Sequence, residues 1–367
     1  MEVVVDMPGG SLSDALTIQG RKVGAGEPVF IVAEVSANHR QSLDVALRTI
    51  EAAKEAGADA VKFQTYTPDT ITIDSQQEYF QIRHGTIWDG KTLYQLYEEA
   101  FTPWQWYGQL RARAQDVGLI CFSSPFDRTA VDFLEEMQTP AYKVASFEIT
   151  DIPLIRYMAS KGRPVIISTG IAEPAEIEEA IDACKGVGNQ DIALLKCSSI
   201  YPTPFEEVNL RGIAWLRERF GVIVGLSDHS TSIAIPVASV VLGACIVEKH
   251  FTLGRHLGGP DSGFSLEPHE FQQMVLAIRQ VEAALGDGNY RTSNRVRRNR
   301  VHARSLFVVA DIQAGQPFTE ENVRSIRPGN GLHPRHLKDV LGKPAATFIA
   351  RGTPLGWQLV EGGGGDS

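Results

Sequence analysis

The chain has 367 residues, of which 43% are hydrophobic and 22% charged, a composition typical of soluble globular proteins. Its formal net charge is −9, which argues against nucleic acid as a main partner because neutralising phosphates requires a basic surface. No stretch approaches the roughly 18–20 apolar residues of a membrane span, and "MEVVVDMPGG" carries acids where a signal peptide is basic. We therefore expect a cytoplasmic protein that acts without a membrane.

Eight apolar, β-branched segments recur along the chain, each followed by a helix-like pattern. They cover residues 29–35, 60–65, 119–125, 142–146, 164–169, 192–199, 222–229 and 245–251. In the first helical pattern, Leu43, Leu47 and Ile50 share one face, and the pattern stops at Gly57. The alternation predicts an α/β fold with a parallel sheet, most simply a closed (β/α)8 TIM barrel. A doubly wound sheet is the alternative, although "AEVSANHRQS" lacks the glycine-rich turn typical of such sheets.

The connection after the second predicted strand, residues 66–101, is unusually long. Insertions of this length often form a lid or a substrate wall. A surface decoration is the alternative interpretation.

The pattern changes after Gly288. We assign residues 1–288 to the barrel with a short N-terminal extension, 289–302 to an arginine-rich linker, 303–361 to a second domain and 362–367 to a flexible tail. "RTSNRVRRNRVHAR" carries six arginines, but the acidic remainder of the chain disfavours a nucleic-acid arm. In the second domain we predict short strands in "SLFVVA" and "TFIA", joined by glycine and proline turns.

Polar side chains follow every predicted strand at the end where barrel enzymes place their active sites. At the end of the eighth strand, "VEKHF" turns an apolar run into charge. Strand alternation places Ser227 with His229 on one face, and Glu248 with His250 on another. The other strand-end residues are Glu34, Lys62, Gln64, Ser124, Lys143, Ser146, Glu148, Ser168, Ser199 and Tyr201. We therefore predict a polar cup at the carboxyl ends of the strands.

Several lysines and hydroxyls in one cup suit a phosphorylated or carboxylated substrate. A single lysine at a strand end is usually solvated, but several that converge are harder to explain in that way. A competing chemical interpretation makes Lys143 a Schiff-base lysine, as in barrel aldolases.

His229 and His250 end consecutive strands and should be near neighbours. Two imidazoles can hold a divalent metal and leave positions open for water and substrate. The alternative is two histidines that are each hydrogen-bonded within the structure. In a polar cup we favour the metal.

Several motifs fall in order along the predicted barrel: "AEVSANH", "VKFQTYTP", "CFSSPFD", "YKVASFE", "YPTP", "GLSDHS", "EKHF" and "GPDSGFSLEP". With these motifs the chain closely resembles the sialic acid synthase family, barrel enzymes that condense phosphoenolpyruvate with an amino sugar. "RPGNG" and "LGKPAATFIARGTPL" are similar to the antifreeze-like (SAF) domain that follows the barrel there. The resemblance covers almost the whole chain and implies a transferase that forms a carbon–carbon bond and releases phosphate by C–O cleavage.

The resemblance also implies roles for single residues. His229 and His250 match the metal ligands, typically for Mn²⁺, with Mg²⁺ or Co²⁺ as alternatives. Glu34 matches the acidic residue beside the reacting carbons, and Glu148 is a second carboxylate that could stabilise positive charge there. Phosphoenolpyruvate is expected to contact Lys62, Ser124, Lys143, Ser146, Ser168, Ser199 and Ser227. The acceptor sugar is expected to contact Gln64, Tyr201, Asp261, Phe264 and Arg327.

Two of these assignments carry further consequences. Ser199 departs from the family, which usually has Asn at this position. Arg327 of "RPGNG" matches an arginine that the SAF domain inserts into the active site of the other subunit. The resemblance therefore implies a homodimer with composite sites.

The acceptor sugar is indicated by two short segments. Synthases for N-acetylneuraminate and legionaminate commonly read Gly-x-Asn-His after the first strand and "GPDH" in the eighth loop, whereas this chain has Ser36, Ala37 and Ser262 there, followed by Phe264. These features resemble the branch of the family that makes pseudaminic acid from 2,4-diacetamido-2,4,6-trideoxy-L-altrose. N-acetylneuraminate and legionaminate synthesis are the alternatives within the family.

Two other classes remain possible from the residues alone. A Schiff-base aldolase that uses Lys143 predicts trapping with pyruvate and borohydride and no metal requirement. A non-enzymatic binding protein on an inactive barrel would have lost the histidine pair or the lysines, and both are intact.

Overall fold

The computed structural model describes residues 15–83 and 85–363. Contacts divide the chain into two compact units, residues 1–286 and 287–367. The first unit contains strands β1 Ala15–Ile18, β2 Arg21–Gly24, β3 Phe30–Glu34, β4 Ala60–Thr65, β5 Ile120–Pro125, β6 Tyr142–Val144, β7 Val165–Ser168, β8 Ile192–Lys196, β9 Ile223–Asp228 and β10 Ile246–His250. Its helices are α1 Leu43–Glu55, α2 Pro68–Ile71, α3 Leu93–Ala100, α4 Tyr107–Asp116, α5 Arg128–Glu136, α6 Ile152–Ser160, α7 Pro174–Lys185, α8 Gly212–Phe220, α9 Ala234–Val241 and α10 Pro268–Leu285.

The predicted (β/α)8 barrel is confirmed. Strands β3 to β10 pair in parallel in chain order, and β10 closes the barrel by pairing with β3. The sixth predicted strand, residues 192–199, ends early at Lys196, and the fourth ends at Val144 because the chain enters a 3-10 turn at Ser146–Glu148. These early ends free the residues after each strand to form the rim of the cup.

Residues from alternate positions of the strands fill the barrel interior. Phe30, Val32, Phe122 and Ile246 are fully or almost fully buried there. The opposite strand faces pack against the helices. Alternation thus gives two apolar layers, one inside the barrel and one between strands and helices.

An antiparallel hairpin, β1–β2, precedes the barrel and was not predicted. Its side chains Leu16, Ile18 and Val23 are fully buried and belong to the same cluster as the interior residues of the barrel. The hairpin therefore contributes to the interior core. Active-site chemistry is left to the other end of the barrel, where the strands become polar.

The second unit contains α11 Asn294–Arg298, β11 Ser305–Val308, β12 Val323–Ile326 and α12 Leu337–Val340. Strands β11 and β12 are antiparallel, and Leu306, Val308 and Phe318 belong to a separate apolar core. The predicted strand in "SLFVVA" is confirmed. The prediction for "TFIA" is wrong, because Ile349 forms only an isolated bridge to Ile312 and no strand continues from it.

No helix within the described ranges combines the length and the apolar character needed to cross a membrane.

A buried ion pair joins the last two barrel strands on the side facing away from the cup. Lys249 Nζ lies 2.5 Å from Asp228 Oδ2, and the two side chains are 0% and 1% exposed. Lys249 also donates to the carbonyl of Ser230, while Asp228 accepts from the amide and hydroxyl of Ser230. Because each partner directly precedes a histidine, the pair fixes the ends of the strands that carry His229 and His250.

We predict that this pair contributes to stability as a unit. Asp228→Asn or Lys249→Met should each lower the free energy of unfolding by about 3–5 kcal/mol, because each leaves the partner charge buried and unpaired. The double variant Asp228→Asn/Lys249→Met should lower the free energy of unfolding by clearly less than the sum of the two single losses. Urea unfolding followed by circular dichroism measures both effects.

The exposed pair Glu178–Arg219 serves as the matched control. Its single and double variants should change stability little and additively, since solvent screens both charges. Additive losses at Asp228 and Lys249 would contradict the coupling.

Candidate active site

The polar strand ends converge on one cavity of about 330 Å³ at the carboxyl end of the barrel. Twelve of the sixteen residues expected in the site line it: Glu34, Lys62, Gln64, Lys143, Ser146, Glu148, Ser168, Tyr201, Ser227, His229, His250 and Asp261. Glu248, which was expected only as a rim residue, lines the cavity as well. The parallel register explains the convergence, because His250 pairs with Glu34, and Glu34 pairs with Lys62, across adjacent strands. The predicted cup therefore exists as a single cavity.

Four charged side chains form a chain of contacts at the base of the cavity. Lys62 Nζ lies 2.6 Å from Glu34 Oε2 and 3.7 Å from Glu248 Oε1, and Lys143 Nζ lies 3.9 Å from Glu248 Oε1. All four side chains are at most 6% exposed. We call Glu34, Lys62, Glu248 and Lys143 the charge cluster. It holds two ammonium groups inside the barrel by placing a carboxylate next to each.

Burial and ion pairing shift the pKa values of the charge cluster in opposite directions. Burial opposes ionisation of Lys62, but Glu248 and Glu34 overcome it and raise the lysine pKa. Burial likewise acts against the Glu248 carboxylate, but Lys143 and Lys62 bring its pKa below the ordinary value. For Glu34 burial prevails and raises the pKa, and for Lys143 burial prevails and lowers it. Lys143 is therefore the cation that gains most from an incoming anion.

Hydroxyl groups surround the two lysines. Lys143 Nζ donates to Ser168 Oγ at 2.7 Å, and Ser227 Oγ donates to Glu248 Oε1 at 3.1 Å. Lys62 Nζ lies 3.4 Å from Ser124 Oγ, but Ser124 is fully buried and does not line the cavity. Ser124 therefore supports Lys62 from beneath.

Ser199 lies beside the cavity, in an adjacent cleft, and donates to Ser146 Oγ at 2.8 Å. A Cβ at Gly170 would collide with the hydroxyls of Ser146 and Ser199. The two serines and the glycine therefore pack tightly. The structure places Ser199 behind Ser146, and Ser146 presents its side chain to the cavity.

The two histidines are neighbours, with ring centroids 5.2 Å apart. His229 Nδ1 lies 2.9 Å from the carbonyl oxygen of Ser198, so this nitrogen carries a proton and Nε2 is left to accept. His250 Nδ1 is buried without a hydrogen-bond partner, and burial places the His250 pKa well below its ordinary value. Both rings thus retain a nitrogen able to bind a metal.

Across the described residues, no group of three or more His, Cys, Asp or Glu side chains is arranged to hold a metal ion. The histidine pair therefore fits only a site that water and substrate complete, as in catalytic centres with open positions.

Polar groups meet at one corner of the cavity. Ser36 Oγ donates to Asp261 Oδ2, and Gln64 Nε2 donates to Ser36 Oγ at 2.9 Å and to Glu34 Oε1 at 3.1 Å. Burial raises the pKa of Asp261, although Ser36 and the amide of Ala37 oppose that shift. This corner can bind hydroxyl or amide groups of a substrate.

Aromatic rings lie next to the histidines. The Tyr201 ring is 4.4 Å from that of His229, and the Phe264 ring is 4.8 Å from that of His250. Phe264 is only 1% exposed and does not line the cavity. The structure thus places Phe264 behind Tyr201 and His250, where it supports them. Ser262 is also turned away, since its hydroxyl donates to the carbonyl of Gly259.

Glu148 follows the short strand β6 and lines the cavity. Burial raises its pKa to about 7, against the opposing effect of Lys143. Its Oε2 is buried without a hydrogen-bond partner. This carboxyl group can therefore change its protonation state near neutral pH.

The long connection between β4 and β5 forms one wall of the cavity, as predicted for a substrate wall. Sequence reasoning did not identify its individual residues, which are Tyr66, Ile71, Trp88, Leu96, Tyr97 and Ala100. The signal that could have identified Trp88 was a tryptophan within the mostly polar segment "RHGTIWDGK". The wall is mostly apolar or aromatic.

Arg327 belongs to the second unit, directly after β12, and its side chain is exposed. Within the described part of the chain, no arginine lines the cavity.

Comparison with known proteins agrees with this geometry. Residues 49–290 match the NeuB family, and residues 303–361 match the SAF domain. The chain is 50% identical over 327 residues to the pseudaminic acid synthase of Campylobacter jejuni subsp. jejuni serotype O:2, which covers 89% of this chain and 95% of the relative.

A relative from the same organism, an N,N'-diacetyllegionaminic acid synthase, is 37% identical over 320 residues, covering 86% of this chain and 95% of the relative. Among solved structures, the N-acetylneuraminic acid synthetase of Leptospira borgpetersenii serovar Hardjo-bovis matches with a TM-score of 0.71 and 32% identity, over 79% of this chain and 96% of that one. By motifs, fold and sequence identity, the chain belongs to the NeuB family and carries a SAF domain after its barrel.

Proposed function

We propose that this chain is a pseudaminic acid synthase. It condenses phosphoenolpyruvate with 2,4-diacetamido-2,4,6-trideoxy-L-altrose and water, and it gives pseudaminic acid and phosphate. The observation that carries the proposal is the cavity in which buried lysines, carboxylates and a histidine pair converge. The likeness to the Campylobacter pseudaminic acid synthase, higher than to the legionaminic enzyme of that organism, supports the choice of sugar.

Phosphoenolpyruvate carries a phosphate and a carboxylate, and the two lysines of the charge cluster supply matching cations. Burial lowers the pKa of Lys143, and an anion bound beside it opposes that shift and favours the ammonium form. The hydroxyls of Ser146, Ser168 and Ser227 line the same cavity and can donate to the phosphate or carboxylate oxygens. Ser124 and Ser199 hold Lys62 and Ser146 in place.

The acceptor sugar occupies the side of the cavity that carries Gln64, Asp261 and Tyr201. Gln64 and Asp261 are linked through Ser36, so their orientation is fixed before the sugar binds. Preorganised polar groups of this kind select substrates because an unsuitable sugar leaves them unpaired.

His229 and His250 would hold a divalent metal, with Mn²⁺ as first choice and Mg²⁺ or Co²⁺ as alternatives. When bound, such an ion supplies Lewis-acid polarisation of the sugar aldehyde. The unpartnered nitrogen of His250 and the fixed orientation of His229 support this assignment.

The carboxylates act on the phosphoenolpyruvate carbons. The methylene carbon attacks the aldehyde carbon, and positive charge develops at the carbon that bears the phosphate oxygen. Glu34 and Glu148 line the cavity and stabilise that charge. Water adds at the same carbon, steered by Glu34, and the intermediate then loses phosphate by breaking its C–O bond. Glu34 is oriented for this role by Gln64 on one oxygen and Lys62 on the other.

We also propose that the enzyme is a homodimer in which Arg327 of one subunit reaches the cavity of the other. The observation behind this proposal is that no described residue lining the cavity is an arginine, although the substrates are anionic or rich in acceptor oxygens.

Phosphate release tests the reaction directly. The purified chain is incubated with phosphoenolpyruvate, Mn²⁺ and one of three acceptors: the diacetamido-trideoxy-altrose, 2,4-diacetamido-2,4,6-trideoxymannose or N-acetylmannosamine. We expect the highest kcat/KM with the altrose and little release with N-acetylmannosamine. A higher kcat/KM with either other sugar would move the chain to the legionaminate or N-acetylneuraminate branch.

The metal ligands are tested by binding. His229→Ala and His250→Ala should each abolish detectable Mn²⁺ binding, measured by electron paramagnetic resonance, while circular dichroism shows an intact fold. His256→Ala removes an exposed histidine outside the cavity and should bind Mn²⁺ like the parent. Unchanged Mn²⁺ affinity in either cavity variant would refute the assignment.

Protonation of Glu148 should cause a loss of kcat/KM on the acidic side of the pH profile, which we call the acidic limb. Its carboxylate is needed, and its pKa is about 7, so kcat/KM for phosphoenolpyruvate should fall as the pH drops through 7. Glu148→Gln should lower kcat/KM and remove that limb, whereas the exposed Glu179→Gln should leave the profile unchanged. A limb that persists in Glu148→Gln would assign it to another group.

Mixed dimers test the composite site. Arg327→Ala and His250→Ala chains should each be inactive alone and regain part of the activity when mixed, because one site per dimer is whole. A mixture of His250→Ala with Lys62→Ala has both defects in the barrel and should stay inactive. Verified mixed dimers of the first pair without activity would exclude the arrangement.

A further inference from the structure

The loop that carries Trp88 is held in shape by its own hydrogen bonds. Asp89 accepts from the amides of Gly85 and Thr86, each at 2.9 Å, and from the Thr86 hydroxyl. At the base of the loop, Ile82 donates its amide proton to the carbonyl of Lys91 at 2.9 Å. Trp88 is therefore presented from a preorganised turn.

Trp88 lines the cavity and connects two elements of its acceptor side. Its Nε1 donates to the carbonyl oxygen of Pro260 at 2.9 Å, next to Asp261. Its ring centroid lies 5.6 Å from that of Tyr201. The indole plane is thus fixed at both ends before any sugar binds.

The surroundings of Trp88 are apolar on the cavity side. Ile71, Leu96, Tyr97 and Tyr201 line the cavity with it, and the corner formed by Ser36 and Asp261 lies in the same cavity. Aromatic side chains offer a large rigid surface to apolar groups at low entropic cost. The apolar side chains and the polar corner therefore differ in the substrate groups that they can bind.

We propose that Trp88 is a specificity-determining residue whose indole face packs against the apolar groups of the acceptor sugar, its 6-methyl and an acetamido methyl. This inference rests on the proposed function and deepens it. Polar sugar groups are held at Ser36, Gln64 and Asp261, while the methyl groups lie on the wall formed by Trp88 and Tyr201. Ser262 and Phe264 do not line the cavity, and the β4–β5 connection supplies its apolar surface instead.

The test compares Trp88→Ala with Trp88→Phe, using the diacetamido-trideoxy-altrose, phosphoenolpyruvate and Mn²⁺. Loss of the ring should raise the KM for this sugar about 10-fold to 100-fold, the range typical of lost apolar contacts, and leave the KM for phosphoenolpyruvate within about two-fold. Trp88→Phe keeps an aromatic face but loses the donor to Pro260, so its KM for the sugar should stay within about three-fold of the parent.

Trp215→Ala is the matched control, because Trp215 is exposed on α8 and lines a different cleft. It should leave both KM values unchanged. An unchanged sugar KM in Trp88→Ala, or an equal rise for phosphoenolpyruvate, would overturn the proposal. Equal losses in Trp88→Ala and Trp88→Phe would also overturn it, since the tether to Pro260 would then be the whole role.

The parent enzyme separates this inference from the proposed function. If the parent prefers N-acetylmannosamine, the choice of acceptor fails before Trp88 is considered. If the parent prefers the altrose and Trp88→Ala does not change the sugar KM, only the role of Trp88 fails.

Discussion

The charge cluster at the base of the barrel is the constraint on which the site depends. Two lysines can stay charged at this depth only because Glu34 and Glu248 lie beside them, at 2.6–3.9 Å. The cluster is balanced before substrate arrives, and an anionic substrate must compete with the carboxylates for the lysines. Each member comes from a different barrel strand, so the closed sheet fixes the distances among them.

Because side chains alternate along a strand, β9 and β10 carry different groups on their two sides. On the cavity side, β9 and β10 lead to His229 and His250, whereas Asp228 and Lys249 pair on the opposite side. The two histidines proposed as metal ligands and the two residues of the ion pair thus follow one another along the chain at the ends of β9 and β10. This explains why an apolar strand can end in Glu248, Lys249 and His250: two of these side chains face the cavity, and the lysine secures the strand from behind.

The sequence was sufficient to predict the barrel, from periodicity along single strands, and most of the cavity residues, from the strand ends and the family motifs. It was insufficient where side-chain placement depends on tertiary packing. The β1–β2 hairpin has too few residues for a periodic signal, and "TFIA" has strand composition without a continuous partner. Phe264 and Trp88 show the limit most clearly, since loop conformation placed the first behind Tyr201 and the second on the cavity surface.

The alternative of a Schiff-base aldolase requires Lys143 to attack a carbonyl, but its Nζ is directed at Ser168 and the carbonyl of Val144. In our account, the carboxylates stabilise positive charge on the phosphate-bearing carbon and water adds there. The most direct test uses phosphoenolpyruvate labelled with heavy oxygen at the bridge between carbon and phosphorus, and mass spectrometry of the products. We predict that the label leaves entirely in the released phosphate. Label retained in the sugar acid would show P–O cleavage and contradict the account.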